Sequence, residues 1–280
     1  LSSMVKDVTE SIPVVTHSHG TGLRQLALCP HLAPQVIEGC SRNDAFLLLH
    51  QQNADAFQAK FDVPLSRIVI VGNGYQEDVF HGHGRPQQCG PVVTYAGKLS
   101  RAKGVPWLLE SSERLSQRVP GFELNVAGSG SGAEADAIRT RMDTAREVVF
   151  HGQLSPERLA DLLRRSSVFV LPSFYEGFPL VLIEAAACGC RIVATALPGV
   201  VNELLPLLDG CLDVVPLPRL VNADQPVEED LPEFVDQLTD VIERSLERRS
   251  DNIDDAGISG MSWNAVFERI ETVWRQLISP

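Results

Sequence analysis

The stretch SVFVLPSFYEGFPLVLIEAAACGCRIVATAL (167–197) decides the fold. SVFVLP (167–172) and RIVATAL (191–197) are typical of buried strands, and FPLVLIEAAAC (178–188) between them is typical of a helix with proline in its first turn. A strand, a helix and another strand in this order predict a parallel sheet with helical crossovers. Sites in such sheets lie at the carboxyl ends of the strands, so the turn SFYEG is a candidate binding site.

The same alternation continues on both sides of this stretch. The predicted strands that precede it are VVTYAG (92–97), FELNVAG (122–128) and EVVFHG (147–152). The predicted helices are 107–119, 134–142, 156–166, 200–208, 234–246 and 262–277. Ser155 with Pro156 is predicted to start one helix, and Ser262 to cap the last one. The acidic segment 221–234 is predicted to be a solvated loop.

The first ninety residues contain fewer strands. Strands are predicted within 12–20 and 66–74, and a short strand followed by a helix within 44–61. A doubly wound domain usually has five or more strands, so this region is predicted to be an incomplete domain. The segment 72–90, rich in Gly, His and Pro, is predicted to be a linker between two lobes.

Composition excludes several classes of protein. Acidic residues outnumber basic ones by 36 to 24, the formal net charge is -12, and no basic stripe is interleaved with aromatic residues, which disfavours nucleic acid as a partner. The apolar runs are far shorter than the roughly 20 residues that cross a bilayer, and no leader opens the chain. The 6 cysteines form no CxxC pair. These features predict a cytoplasmic protein in a reducing compartment.

Two glutamates bracket the central apolar helix. Glu176 lies in the turn before it and Glu184 about one and a half turns along it, where solvation is poor. A carboxylate at the second position can accept hydrogen bonds from two hydroxyl groups, as in a ribose, and Glu176 from a sugar hydroxyl. The alternative is that Glu184 pairs with an arginine such as Arg191, and that Glu176 is an ordinary loop carboxylate.

Two further turns follow predicted strands. AGKLSRAKG (96–104) carries Lys98 and Lys103, whose ammonium groups can converge on a diphosphate; the alternative is that both lysines are simply solvated. VAGSGSGAEAD (126–136) is rich in glycine but does not match GxGxxG, so a nicotinamide site is disfavoured. A close approach of a base or a ribose to this backbone is still compatible with the pattern.

Together GKLSRAKG, VAGSG, FHGQLS and EGFPLVLIE, in this order, resemble the nucleotide-sugar domain of glycosyltransferase family 4 (glycosyl transferases group 1), retaining enzymes of the GT-B fold. The resemblance covers Pro91 to about Leu208. It implies that Glu184 binds the donor ribose, Glu176 a sugar hydroxyl, and Lys98 with Lys103 the diphosphate. The remaining residues that it places around the donor are Gly130, Gly152, Leu154, Gly177, Phe178, Pro179 and Leu180. The resemblance implies that the backbone N–H groups at 177–180 hold the sugar and the distal phosphate. The family more often has arginine at the position of Lys98.

The upstream half resembles the acceptor side of the same family. THSHGTGLRQ (16–25) resembles its histidine segment, which implies that His19 faces the cleft and is catalytic together with Glu176 and Lys103. MSWNAVFERIETVW (261–274) resembles the closing helix. The implied fold class is α/β, with an incomplete Rossmann-like acceptor domain and hinge (1–88), a nucleotide-sugar domain (89–258) and a C-terminal helix (259–280) that packs toward the first. The resemblance also implies that the start of the first domain is missing.

The implied function is transfer of a hexosyl group, with retention, from a UDP-, GDP- or ADP-linked sugar to a hydroxyl acceptor. The expected turn has no DxD metal signature, so no obligatory metal or cofactor is expected. No transmembrane segment is predicted, and peripheral membrane contact is compatible with the sequence. Three alternatives stay open: a module that binds a nucleotide-sugar without transfer, a sugar epimerase, and a metal-dependent hydrolase that uses the pairs His17/His19 and His81/His83.

Overall fold

The computed structural model describes residues 2–9, 11–18, 26, 29–87, 89–208, 210–248 and 258–279. The strands are β1 (Val15–Ser18), β2 (Ala45–Leu48), β3 (Ile68–Ile70), β4 (Val92–Ala96), β5 (Glu123–Ala127), β6 (Val148–Gly152), β7 (Val168–Leu171), β8 (Arg191–Thr195) and β9 (Leu212–Val215). The α-helices are α1 (Ser2–Val5), α2 (Ala33–Ser41), α3 (Gln51–Phe61), α4 (Val105–Arg118), α5 (Ala133–Thr144), α6 (Pro156–Arg164), α7 (Leu180–Ala187), α8 (Leu231–Glu247) and α9 (Trp263–Ile278). Two compact units contain them, Leu1–Gly74 with Gly260–Pro280, and Tyr75–Ser259.

The first unit is built on a parallel sheet in the order β1-β2-β3, which confirms the predicted strands. Successive side chains of β2 point to opposite faces, and both faces are covered. Leu47 packs against Val266 and Ile270 of α9 on one face, whereas Phe46 packs against Phe57 of α3 on the other.

The local sequence pattern predicts one helix of this unit correctly and does not predict another. Ser262 Oγ accepts a hydrogen bond from the Ala265 N–H at 3.1 Å, so the predicted cap of α9 is confirmed. The pattern did not predict α2, whose sequence APQVIEGCS has two β-branched residues and a glycine that disfavour a helix. The packing of α2 against the sheet overrides this weak propensity.

The second unit contains a six-stranded parallel sheet in the order β6-β5-β4-β7-β8-β9. Numbered within the unit, this is the order 3-2-1-4-5-6 of a doubly wound Rossmann domain. The sheet changes direction between β4 and β7, which pair directly through Val93 and Val168. The crevice at this switch point is where such sheets bind ligands, and it lies between the loops after β4 and after β7.

Helices α4 and α8 pack together and cover the sheet beneath this crevice. The ring of Phe174, in the loop after β7, lies 5.1 Å from the Trp107 ring of α4 and 5.3 Å from the Phe234 ring of α8, measured between centroids. All three side chains are buried. The loop after β7 is therefore anchored in the core and holds a defined position above the sheet.

Several elements of this unit differ from the predictions. Strand β9 is absent from the predicted elements, because CLDVVP is short and Asp213 interrupts its apolar run. The helix predicted at 200–208 contains a π-helical turn at Val200–Leu204. Helix α8 begins at Leu231, within the predicted loop, and Leu220 and Pro226 in that loop form an antiparallel bridge. The predicted start of α6 is confirmed, since Ser155 Oγ accepts from the Arg158 N–H at 3.4 Å.

The predicted linker packs against the second unit over much of its length. The guanidinium of Arg85 donates to the carbonyl oxygens of Ser166 at 2.8 Å and Cys188 at 3.1 Å. Arg164 of α6 donates in turn to the carbonyl oxygen of Val79 at 3.2 Å. These bonds tie residues after Tyr75 to the ends of α6 and α7, so this part of the segment is held by the domain that follows it.

Candidate active site

Two loops meet at the switch point of the second sheet. The Phe174 N–H donates to the carbonyl oxygen of Ala102 at 2.9 Å and joins the loop after β7 to the loop after β4. Gly104 has a φ of +71°, and a Cβ added there would lie 2.1 Å from the carbonyl oxygen of Pro172. Only glycine permits this approach, which brings the charged residues of the two loops together.

We expect Gly104→Ala to destabilise the protein by about 3 kcal/mol or more, since the left-handed backbone and the contact with Pro172 both oppose a methyl group. Gly84 is a matched control, because its φ is +81° and nothing lies within 4 Å of the added Cβ. Gly84→Ala should cost only about 1 kcal/mol of backbone strain. Urea denaturation measures both, and equal losses would contradict a clash between the loops.

The loops bring Lys103 and Glu176 into an ion pair. Lys103 Nζ lies 2.7 Å from Glu176 Oε2 and donates to the carbonyl oxygen of Tyr175 at 3.0 Å. The side chains are only 25% and 17% exposed, so neither the solvated lysine nor the ordinary loop carboxylate describes this pair. The buried Ser173 hydroxyl donates to Glu176 Oε1 at 2.7 Å. Ser173 lies within the turn SFYEG but is not among the residues predicted to bind a ligand.

Tyr95 of β4 lies beneath the loop that carries Lys98. Its hydroxyl group donates to the carbonyl oxygen of Lys98 at 2.9 Å, and its side chain is fully buried. Burial, and to a lesser extent the negative charge of Glu176, raises the pKa of Tyr95, so the phenol stays protonated and keeps donating. Tyr95 thus supports the backbone next to the candidate lysine. Tyr95 is not among the predicted site residues, because an aromatic residue in a strand is usually a core residue.

A cleft of about 510 Å³ opens beside these loops. Residues from the ends of β4, β5 and β6 line it: Gly97, Lys98, Gly128, Ser129, Gly130, Ser131 and Gln153. The Gly128 N–H donates to the carbonyl oxygen of Gly152 at 2.7 Å, and a Cβ at Gly128 would lie 1.8 Å from the carbonyl oxygen of Gly97. The absence of a side chain at Gly128 therefore lets the backbones at the ends of β4 and β5 meet closely in the wall of the cleft.

Several of the residues predicted to bind the donor lie at or beside this cleft. Lys98 and Gly130 line the cleft, and Lys98 is exposed. Gly152 and the half-buried Leu154 flank Gln153 of the lining. His19 lies outside the described residues, so its predicted position in the cleft stays a prediction.

Glu184 lies on α7, one turn into the helix. It is half-buried, and no described side chain or N–H group bonds its carboxylate. Burial raises the pKa of Glu184 to about 7. The alternative pairing with Arg191 is wrong, because Arg191 donates to Asp213 Oδ2 at 3.0 Å and to the carbonyl oxygen of Gly210 at 3.0 Å. A partly buried carboxylate with no protein partner is a candidate ligand-binding group.

The start of α7 corrects the predicted set of free N–H groups at 177–180. The helix begins at Leu180; Pro179, with φ -81° and ψ 79°, precedes it and has no N–H. The Leu180 N–H is already used, since it donates to the carbonyl oxygen of Phe178 at 3.0 Å. Among the described residues, the N–H groups of Gly177 and Val181 have no acceptor. An anion at this helix start would therefore meet Gly177 and Val181, and not Leu180.

The metal-dependent hydrolase receives no support from the side chains. The rings of His81 and His83 lie 4.9 Å apart between centroids. Within the part of the chain that the structure describes, no group of three or more His, Cys, Asp and Glu side chains is placed to hold a metal ion. The described helices also include none that is long and apolar enough to cross a membrane.

The fold and site define a class of protein. Residues 90–216 match the family model described as "Glycosyl transferases group 1". This stretch runs from just before β4 to just after β9, so the match spans the loops that carry Lys103 and Glu176 and the helix that carries Glu184. Over these residues the chain is similar to that family.

Among curated proteins, the chain is similar to a glycogen synthase of Mycobacterium tuberculosis, with 31% identity over 159 residues, which are 56% of this chain and 38% of that protein. It is also similar to a D-inositol 3-phosphate glycosyltransferase of Xylanimonas cellulosilytica, with 28% identity over 190 residues, 61% of this chain and 45% of that protein. The matched region spans less than half of the length of either relative.

Among solved structures, the Anabaena HepE complex with UDP and glucose superimposes with a TM-score of 0.64 at 16% identity, covering 99% of this chain and 74% of that one. A sucrose-phosphate synthase from Thermosynechococcus elongatus superimposes with a TM-score of 0.61 at 19% identity, covering 97% of this chain and 70% of that one. These structures have the GT-B fold, which confirms the predicted fold class.

Proposed function

We propose that this protein is a retaining glycosyltransferase of family 4 that transfers a hexosyl group from a nucleoside-diphosphate sugar to a hydroxyl acceptor. The observation that carries the proposal is the arrangement at one switch point: the Lys103–Glu176 pair, the cleft with Lys98, and Glu184, whose carboxylate has no partner within the described residues. The match to glycosyl transferases group 1 and the UDP and glucose bound to HepE support a nucleotide-sugar donor.

Each of these residues contacts a different part of the donor. Glu184 accepts hydrogen bonds from the ribose hydroxyls, which supply the partner that its carboxylate lacks among the described residues. Lys98 and Lys103, with the N–H groups of Gly177 and Val181, face the diphosphate. The segments around Gly130, Gly152 and Leu154, at or beside the cleft, border the base and the ribose. Glu176, with Phe178, lies at the hexosyl end.

Charge develops on the leaving diphosphate as the glycosidic bond breaks. Ammonium and N–H groups already in place stabilise that charge without reorganisation, so we propose that no metal ion is obligatory. In the retaining mechanism the leaving phosphate oxygen takes the proton of the acceptor hydroxyl, and attack occurs on the same face of the sugar. The role of His19 toward the acceptor and the cytoplasmic location both stay predictions.

Calorimetric titration with UDP, GDP and ADP tests the donor site directly. We expect saturable binding of one nucleotide, with the same affinity with and without Mg²⁺. Binding that requires Mg²⁺ would contradict the metal-independent site. No binding of any of the three would contradict the nucleotide-sugar site itself.

The raised pKa of Glu184 makes the stability of the protein depend on pH. Its pKa rises from 4.5 to about 7 on folding, so the folded protein holds a proton that the unfolded chain releases within this window. Stability should therefore fall as the pH rises through the window and stay lower above it. Glu184→Gln removes this titration, and at about pH 8 it should be more stable than the wild type by roughly 2 kcal/mol. Urea denaturation of both proteins near pH 5 and pH 8 measures this; a difference that does not change with pH would contradict it.

A further inference from the structure

We propose that Glu176 determines ligand specificity by weakening the affinity of the site for the free nucleoside diphosphate relative to the nucleotide-sugar. This inference rests on the proposed function, since it takes the lysines as the groups that face the diphosphate. It assigns to Glu176 an effect on product binding that is separate from its contact with the transferred sugar.

Two of the three donors of the Lys103 ammonium group are used within the protein. An ammonium group has three donors, and here one bonds Glu176 Oε2 at 2.7 Å and another bonds the carbonyl oxygen of Tyr175 at 3.0 Å. The third donor is left for a phosphate oxygen, so the ion pair need not break when a ligand binds. A phosphate at Lys103 then lies close to both members of the pair.

Glu176 cancels the positive charge of Lys103 at the position that the diphosphate would occupy. Lys103 and Glu176 together are neutral, so Lys98, which is exposed and without an ion-pair partner among the described residues, supplies the net positive charge. The Ser173 hydroxyl holds the carboxylate in place at 2.7 Å, so Glu176 cannot easily turn away from an approaching anion. With one side chain 25% and the other 17% exposed, water screens these charges incompletely.

The two ligands differ in what they bring to this position. A nucleotide-sugar presents sugar hydroxyls, which donate hydrogen bonds to the carboxylate of Glu176. A free nucleoside diphosphate presents an additional negative charge on its terminal phosphate, which the same carboxylate repels. Glu176 therefore favours the donor over the product of transfer and promotes product release.

The test is a double-mutant cycle measured by calorimetry with the nucleoside diphosphate that the wild type binds. We expect Glu176→Gln to bind it about tenfold more tightly and Lys103→Met at least tenfold more weakly. The double variant has two uncharged side chains in place of the ion pair, so the net charge is unchanged. Its affinity for the diphosphate should lie within about threefold of the wild-type affinity. The gain in Glu176→Gln should shrink at high salt, and the nucleotide-sugar should gain much less from this substitution than the diphosphate.

Glu113→Gln is the matched control, because it removes the same charge from an exposed position on α4 and should leave the affinity unchanged. Unchanged or weaker diphosphate binding by Glu176→Gln, in a variant that melts like the wild type, would overturn the inference. Loss of diphosphate binding in Glu184→Ala shows independently whether the proposed donor site exists. If wild type and Glu176→Gln both fail to bind, the proposed function fails together with the inference.

Discussion

Replacing Lys103 by alanine is expected to lower kcat/KM for sugar transfer by about a hundredfold to a thousandfold. The ammonium group is positioned before the reaction by Glu176 and by the carbonyl oxygen of Tyr175, so it can stabilise charge on the leaving diphosphate without reorganisation. Loss of one such group from a shielded site typically costs two to three orders of magnitude in rate. Initial rates with the nucleotide-sugar that the wild type uses measure the loss.

Arg101 provides the control within the same loop. Its guanidinium is half-exposed, pairs with Glu228 and lies 4.9 Å above the ring of Trp107. Arg101→Ala removes the same charge from the loop and should change kcat/KM by less than about threefold. If both variants lost activity equally, the effect would belong to the net charge of the loop. If Lys103→Ala kept near-normal turnover, the assignment of Lys103 would be wrong.

Replacing Glu184 by alanine is expected to weaken nucleotide binding by about a hundredfold or more. The carboxylate has no partner among the described residues, and two charge-assisted hydrogen bonds from a ribose would supply about 3 kcal/mol together. Because burial raises the pKa of Glu184 to about 7, binding to the ionised form should also release a proton near neutral pH. Calorimetry in two buffers of different ionisation enthalpy detects that release.

A 2′-deoxynucleotide separates ribose recognition from a general loss of structure. The wild type should bind the deoxynucleotide about tenfold more weakly than the ribonucleotide, whereas Glu184→Ala should bind the two equally. Glu184→Gln, which is expected to be stable near neutral pH, keeps the helix packed. A preference for the ribonucleotide that persisted in Glu184→Ala would exclude Glu184 as the ribose ligand.

Local patterns predicted the parts of the fold that depend on neighbours in the chain. The alternation of strands and helices, the start of α6 at Ser155 and the cap of α9 at Ser262 are all present. The pattern failed where tertiary contacts override local preference. Strand β9 forms around Asp213, whose charge is balanced by Arg191 and Arg248 from elsewhere in the unit.

By itself, the sequence determined the α/β class, the turns that end the strands and the chemistry of the residues in those turns. Only the tertiary structure decided which of them meet. The strand order places β4 beside β7, so Lys103 contacts Glu176, and Tyr95 supports the backbone of Lys98. Arg191 pairs across to β9, and Glu184 is left with no bonded partner in the described part of the chain. Strand order and register join residues far apart in the chain, and no periodicity within a short segment contains that information.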